Sequence, residues 1–239
     1  MRLLNCIALV LIYFLAFISG FLFGAHYVES VSGNRAMVYA AAVVSGGGGA
    51  LAEVWAEVRP GTGRVFLTVN PRAELDTQES AKVAAQVASR LAGRPLLFQD
   101  IAFTINAPSA IVGGPSAGAA MAVAAYGALV DRQPRTDVVI TGELFPDGSI
   151  GPVGGLVEKL EACAENGIRV FLIPAGERYV RVAKPVTKKL TPLPGVVVVE
   201  RSVRWETVDL YELGREKGVD VVEVSNVSEA LPYFFSSAS

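Results

Sequence analysis

The chain has 239 residues, a net charge of −2, 51% hydrophobic residues, two cysteines and one histidine. The slightly acidic balance argues against a nucleic-acid surface, which carries a basic excess. Cys6 and Cys163 lack companions at metal-ligand spacing, so neither a disulfide framework nor a zinc site is expected; His26 alone leaves the rest of the chain without a Ser-His-Asp or Cys-His machine.

In chain order, Leu3 to Ala25 is almost continuously apolar, broken only by Asn5. At about 1.5 Å per residue such a helix crosses a hydrocarbon core of roughly 30 Å, and it reads as a transmembrane anchor. A cleaved signal peptide would want small residues before the cut, and "FGA" ahead of His26 places a phenylalanine among them. Arg2 precedes the span and Glu29 follows it, which favours a cytoplasmic N-terminus and a domain on the extracytoplasmic side. The expected division is an anchor over 1–28, a juxtamembrane linker over 29–36 and one domain over 37–239.

"AMVYAAAVV" and "LAEVWAEVRPGTGRVFLTVN" read as strands joined by glycine turns. The "SGGGGA" run lacks a following G-K-[ST] and is a turn rather than a P-loop. "LDTQESAKVAAQVASRLAG" predicts a helix: Asp76 and Glu79 resemble a capping box, Ala84, Val87, Ala88 and Leu91 recur at helical spacing, and Gly93 stops it. A strand in "PLLFQDIAFTIN", a helix in "PSAGAAMAVAAYGALV" and a strand in "TDVVITGEL" follow. "PDGS" is a turn, "LVEKLEACAENG" a third helix and "IRVFLIP" a strand. Residues 178–218, with "KPVTKKLTPLPG", read as an irregular insertion whose cations face solvent or contact lipid, substrate or a neighbouring subunit. "VDVVEVSNVSEALPYFF" closes the chain as a strand and a Ser/Asn-capped helix. The alternation implies a mixed sheet with packed helices.

Two of these elements carry candidate chemistry. Ser116 follows Pro115 at the mouth of the alanine-rich helix, where free N–H groups and the helix dipole stabilise an oxyanion, and Gly113, Gly114 and Gly118 permit close approach. A helix cap is the equally simple reading of the same serine. A nucleophilic serine needs a base, and a buried lysine serves when desolvation lowers its pKa. In the third helix Leu156, Lys159, Leu160 and Cys163 share one face, with Glu158, Glu161 and Glu165 opposite. Lys159 therefore lies inside the apolar stripe, although lysines in such places also snorkel to water.

"GGPSAGAAMAVAAYGAL", "TGELFPDGSIGPVGGLVEKLEA" and "GIRVFLIPAGE" resemble the successive signatures of the Lon protease proteolytic domain, peptidase family S16, in order and spacing, and the flanking helices extend the likeness over Met37 to Phe235. The resemblance implies an α+β fold of the ribosomal protein S5 domain 2-like kind after the N-terminal transmembrane helix. It implies a Ser-Lys dyad peptidase without cofactor, in which Ser116 attacks the scissile carbonyl, Lys159 takes its proton and Thr141 orients the lysine amine. The backbone of the loop holding Gly113, Gly114 and Pro115 would receive the oxyanion. Family members form rings, commonly hexamers, so a homo-oligomer is expected.

Two departures stand out. Gly113 occupies a position, three before the serine, that is often acidic in the family. The chain also has no Walker-type G-x-x-x-x-G-K-[ST] and no room for an ATPase module, so ATP-independent cleavage of unfolded or flexible protein segments is expected, with any unfolding ATPase a separate partner. The competing reading is a non-catalytic scaffold or binding module of the same fold. An anion cradle at the glycine-rich loop is disfavoured, because no basic residue lies between Asp100 and Val130.

Overall fold

The computed structural model describes residues 11–20, 34–70, 75–107, 115–193 and 196–236. β1 (Asn34–Val43) and β2 (Gly49–Pro60) form an antiparallel pair closed by the glycine turn, where Gly47 N–H donates to Val44 O at 3.0 Å. β3 (Val65–Asn70), α1 (Leu75–Ala92), β4 (Gln99–Asn106), α2 (Gly118–Val130) and β5 (Val138–Ile140) follow. The short pair β6 (Glu143–Leu144) and β7 (Ile150–Gly151) leads to α3 (Leu156–Glu165) and β8 (Val170–Pro174). β9 (Tyr179–Leu193), β10 (Val196–Asp209), α4 (Leu210–Lys217), β11 (Asp220–Val224) and α5 (Val227–Phe235) complete the described chain.

Seven strands form one mixed sheet in the order β11-β8-β5-β1-β2-β4-β3. The two ladders of β2, to β1 and β4, are antiparallel and the others parallel. Alternation along each strand divides the core in two. Val38, Val54, Phe103 and Ile140 point to the face covered by α1, α2 and α5. Val139, Phe171 and Ile173 point the other way, onto Leu156 and Leu160 of α3 and Leu210 of α4. α2 is buried at 11 of its 13 positions, which explains its composition: a helix enclosed between α1 and the sheet has no polar face, and alanine and glycine let its neighbours approach.

Several sequence expectations change. The helix read from Pro115 begins instead as a 3₁₀ turn over Pro115–Ala117, and α2 starts at Gly118. The Asp76–Glu79 capping box does not form, because α1 already includes Leu75; Glu79 pairs with Lys82 at 3.2 Å. At α5 the reciprocal cap is present: Asn226 Oδ1 accepts from Glu229 N–H at 3.0 Å and Glu229 Oε2 from Ser225 N–H at 2.7 Å.

Residues 178–218 are not irregular. They form the long antiparallel hairpin β9–β10 followed by α4. Lysine and proline disguised the alternation of "YVRVAKPV", and a two-stranded ribbon tolerates Pro185 because every strand in it is an edge. Arg178 and Asp209 clamp the base of the hairpin through paired bonds of 2.6 and 3.0 Å, and Asp209 also caps α4. Of the anchor expected over 1–28, residues 11–20 are described; they are helical and exposed throughout. Among the described residues no helix is long and apolar enough to cross a membrane.

Candidate active site

The site is assembled where β5 ends. Thr141 follows the last residue of that strand and is fully buried, its N–H donating to Leu172 O of β8 at 3.1 Å. The chain then turns at Gly142, whose φ of 155° and whose contact with Ile150 leave no place for a Cβ. This turn faces the serine. Gly142 N–H donates to Ser116 O at 3.1 Å, and Ala119 N–H donates to Gly142 O at 3.4 Å. The Thr141–Gly142 step is thus held by β8 on one side and by the Ser116 turn on the other.

Lys159 enters from α3. The helix is launched by Gly155 in the left-handed conformation, φ 70°, packed against Val43, so one turn later Lys159 is directed into the protein together with Leu156, Leu160 and Cys163. It is 2% exposed. Lys159 Nζ donates to Thr141 Oγ1 at 3.0 Å. Burial holds its amine well below the ordinary lysine range, at about 8, against smaller opposing effects of Glu158 and Cys163. The Cys163 thiol, one turn on, is pushed up to about 12 by the same burial, so it is an inert, protonated neighbour rather than a nucleophile.

Ser116 itself is half-buried in the 3₁₀ turn. The N-cap of α2 is Ala117, which makes no side-chain cap bond, so the serine does not cap that helix. Among the described residues its hydroxyl makes no hydrogen bond to Lys159 Nζ, which donates to Thr141 alone. Ser116, Thr141 and Lys159 nevertheless share one network, since Thr141 holds the amine while the next residue, Gly142, holds the serine backbone. Pro115 is half-buried in the same turn, and Gly113 and Gly114 lie outside the described residues.

Sequence reasoning gave no role to Gly142 and read Gly155 only as part of the glycine-rich entry "GPVGG" to the lysine helix. The signal was a glycine directly after the threonine and another directly before the helix, but their partners Ile150 and Val43 are visible only in three dimensions. A cleft of about 570 Å³ borders the first turn of α3 and the base of the hairpin, with Val153, Glu158, Tyr179, Arg181 and Trp205 in its walls. A larger cleft of about 720 Å³, beside Tyr39, Glu53 and Asp137, is lined by none of Ser116, Thr141 and Lys159. Among the described residues no three His, Cys, Asp or Glu side chains are placed to hold a metal.

The family profile for the Lon protease (S16) C-terminal proteolytic domain matches residues 26–193. The chain belongs to this family. It is 37% identical over 137 residues to the Lon protease of Phenylobacterium zucineum (strain HLK1), a match covering 55% of this chain and 17% of that protein. It is 39% identical over 137 residues to Lon protease 2 of Sorangium cellulosum (strain So ce56), again 55% of this chain and 17% of the relative. With the Lon protease of Nitratidesulfovibrio vulgaris the match is 30% over 190 residues, 77% of this chain and 20% of that protein. The chain thus spans about a fifth or less of the length of the curated relatives it matches.

Proposed function

We propose that the chain is a serine endopeptidase in which Ser116 is the nucleophile and Lys159 its general base. The observation that carries this reading is a single one. A lysine 2% exposed is bonded to Thr141, and the residue after Thr141 is bonded to the backbone of Ser116, in the 3₁₀ turn that precedes α2. At an amine pKa of about 8, roughly one lysine in ten is neutral at pH 7, against about one in 3,000 at the ordinary value of 10.5.

The neutral amine takes the Ser116 hydroxyl proton as Oγ bonds to the scissile carbonyl carbon. The electron pair moves to the carbonyl oxygen, which the backbone N–H groups at the mouth of α2, that of Ser116 among them, stabilise. When the intermediate collapses, the C–N bond breaks, and the Lys159 ammonium returns its proton to the departing amine. Water then repeats the sequence on the acyl-serine, releasing the second product and regenerating Ser116. Thr141 acts as a positioning residue by accepting from Nζ, which leaves the amine lone pair for the serine.

No ATP enters these steps, so the substrates of this reading are unfolded proteins or flexible segments. The exposed apolar helix at 11–20, within the run from Leu3 to Ala25, supports an N-terminal membrane anchor in this reading, and Arg2 before the run with Glu29 after it supports a domain on the extracytoplasmic side. Family membership supports a homo-oligomeric ring.

The dyad is tested by acylation. The protein is mixed with a peptide p-nitrophenyl ester, quenched in acid and examined by mass spectrometry. One acyl group on Ser116, formed at least about 100-fold more slowly in Lys159→Met, is the expected result. An acyl group elsewhere, or a rate indifferent to Lys159→Met, would contradict the reading and favour a scaffold of the same fold.

A further inference from the structure

All strands of the seven-stranded sheet except β2 run in one direction, so the sheet has an amino end and a carboxyl end. Thr141 and the Ser116 turn bonded to Gly142 lie at the carboxyl end of β5. At the amino end, the chain from α1 enters β4 through a 3₁₀ turn at Leu96–Phe98. Leu96 packs against the core, whereas Leu97 and Phe98 are 66% and 74% exposed, the latter the most exposed large apolar side chain among the described residues. Single exposed apolar residues are ordinary, but two adjacent ones at the tip of a turn make an apolar projection that water disfavours. The tip is well fastened. Gly61 N–H donates to Phe98 O at 3.0 Å, and Asp100 Oδ1 accepts from Thr62 N–H at 2.7 Å and from Arg64 N–H at 2.8 Å.

Arginines flank this tip. Arg64 and Arg94 are exposed, and neither enters an ion pair among the described residues. Arg59 pairs with Glu57 at 2.7 Å, and Arg35 lies over the Trp55 ring at 4.6 Å. Both carboxylates of the corner are thus engaged, Glu57 by Arg59 and Asp100 by backbone N–H groups. Four arginines against two carboxylates leave +2 here, in a chain of −2. Along the loops that enter β5, β8 and β11, Arg132, Arg135 and Arg169 balance Asp131, Asp137 and Asp220, so the excess belongs to the corner.

We propose that this corner is the domain's contact with the lipid bilayer: Leu97 and Phe98 insert at the level of the head groups, Arg64 and Arg94 meet anionic phosphates, and the catalytic end of the sheet faces away from the membrane. The proposal rests on the membrane anchor of the preceding reading and not on its dyad. The N-terminal segment argues for lipid at this place. Asn34 stands in line with Val58 of β2, Ile101 of β4 and Val65 of β3, so the apolar run from Leu3 to Ala25 joins the domain at this same end. Only residues 26–33 intervene, and even fully extended they reach about 28 Å, so an anchored run keeps the corner close to the bilayer. Ile140 pairs with Ala40, six residues (40 − 34) along β1 from Asn34, which sets Thr141 about 20 Å or more beyond the corner along the strands. Ser116 is then open to substrate from the aqueous side. The β9–β10 hairpin is the poorer lipid contact, because it leaves the sheet after Pro174, at the carboxyl end.

The test reads tryptophan emission from the full chain reconstituted in vesicles of phosphatidylcholine and phosphatidylglycerol, with and without bromine on the acyl chains, so cleavage plays no part in it. Wild type carries Trp55 and Trp205; Phe98→Trp adds a third tryptophan at an exposed position, and circular dichroism verifies the fold. The added emission should move to the blue and fall at least about twofold in brominated vesicles, as for a ring at the head-group level. Arg64→Glu with Arg94→Glu in the same protein should lower that quenching at least about twofold, and so should raising salt from about 50 to about 500 mM. Flotation with the vesicles shows separately whether the anchor holds. A chain that floats with its third tryptophan unquenched would overturn the proposal and leave the anchor standing, whereas a chain that does not float would overturn both. Quenching already present in wild type and removed by Trp205→Phe, with none gained at position 98, would assign the contact to the hairpin and overturn the proposal as well.

Discussion

Replacing Lys159 by methionine should make the protein more stable while abolishing its chemistry. The amine binds its proton with an affinity set by a pKa of about 8 in the folded protein and near 10.5 in the unfolded chain. At about 1.4 kcal/mol per tenfold in affinity, keeping the charged amine buried at pH 7 costs about 3 kcal/mol. Methionine occupies nearly the same space without a charge, but leaves Thr141 Oγ1 without its donor, a loss of about 1 kcal/mol. The net gain is about 2 kcal/mol at pH 7. Between pH 8 and 10.5 the folded lysine is neutral while the unfolded one still binds a proton, so the wild type gains stability with rising pH and the advantage of the variant shrinks. Urea unfolding of both proteins at pH 7, 8, 9 and 10 measures the difference. A variant less stable than wild type at pH 7, or an advantage that stays constant to pH 10, would refute the burial argument on which the base assignment rests.

Other consequences follow from neighbouring residues. Gly142→Ala should cost more than about 3 kcal/mol in urea unfolding, because the new Cβ meets Ile150 in a backbone conformation that side chains avoid. Thr141→Val should lower kcat about 10- to 100-fold with little change in KM and move the rising limb of the pH–rate profile to lower pH, since the lysine keeps its burial but loses the acceptor that favours its charged form. Acylation by the wild type should rise about tenfold from pH 7 to pH 9 and level off above about 8; a steady climb through pH 10 would signal an ordinary, solvated lysine. Asn226→Ala should destabilise by about 1 kcal/mol through loss of the α5 cap, as a thermal midpoint will register.

What could be read from the residues depended on whether their partners were close in sequence. The stripe Leu156, Leu160 and Cys163 announced that Lys159 faces inward, because helical periodicity carries that information locally. The strand order was not legible: β1 pairs with both β2 and the distant β5, and nothing between residues 43 and 138 states this. The start of α2 was misplaced by three residues because the Ser116 carbonyl accepts from Gly142 N–H, beyond the helix, rather than from a helical N–H. The hairpin escaped notice since its strands lack the buried face that produces clean alternation; Lys184 pairs with Glu206 across the ribbon where a core residue would otherwise mark the period. The link from Lys159 through Thr141 and Gly142 to Ser116 joins elements whose closeness the sheet alone creates.

The central claim is that Ser116 and Lys159 together cleave peptide bonds without a motor. Its most direct measurement is the degradation of an unstructured protein, in the absence of ATP, by the full chain in detergent beside Ser116→Ala and Lys159→Ala. The account predicts cleavage by the wild type and none by either variant. Cleavage that survives either substitution, or none by the wild type, would contradict it.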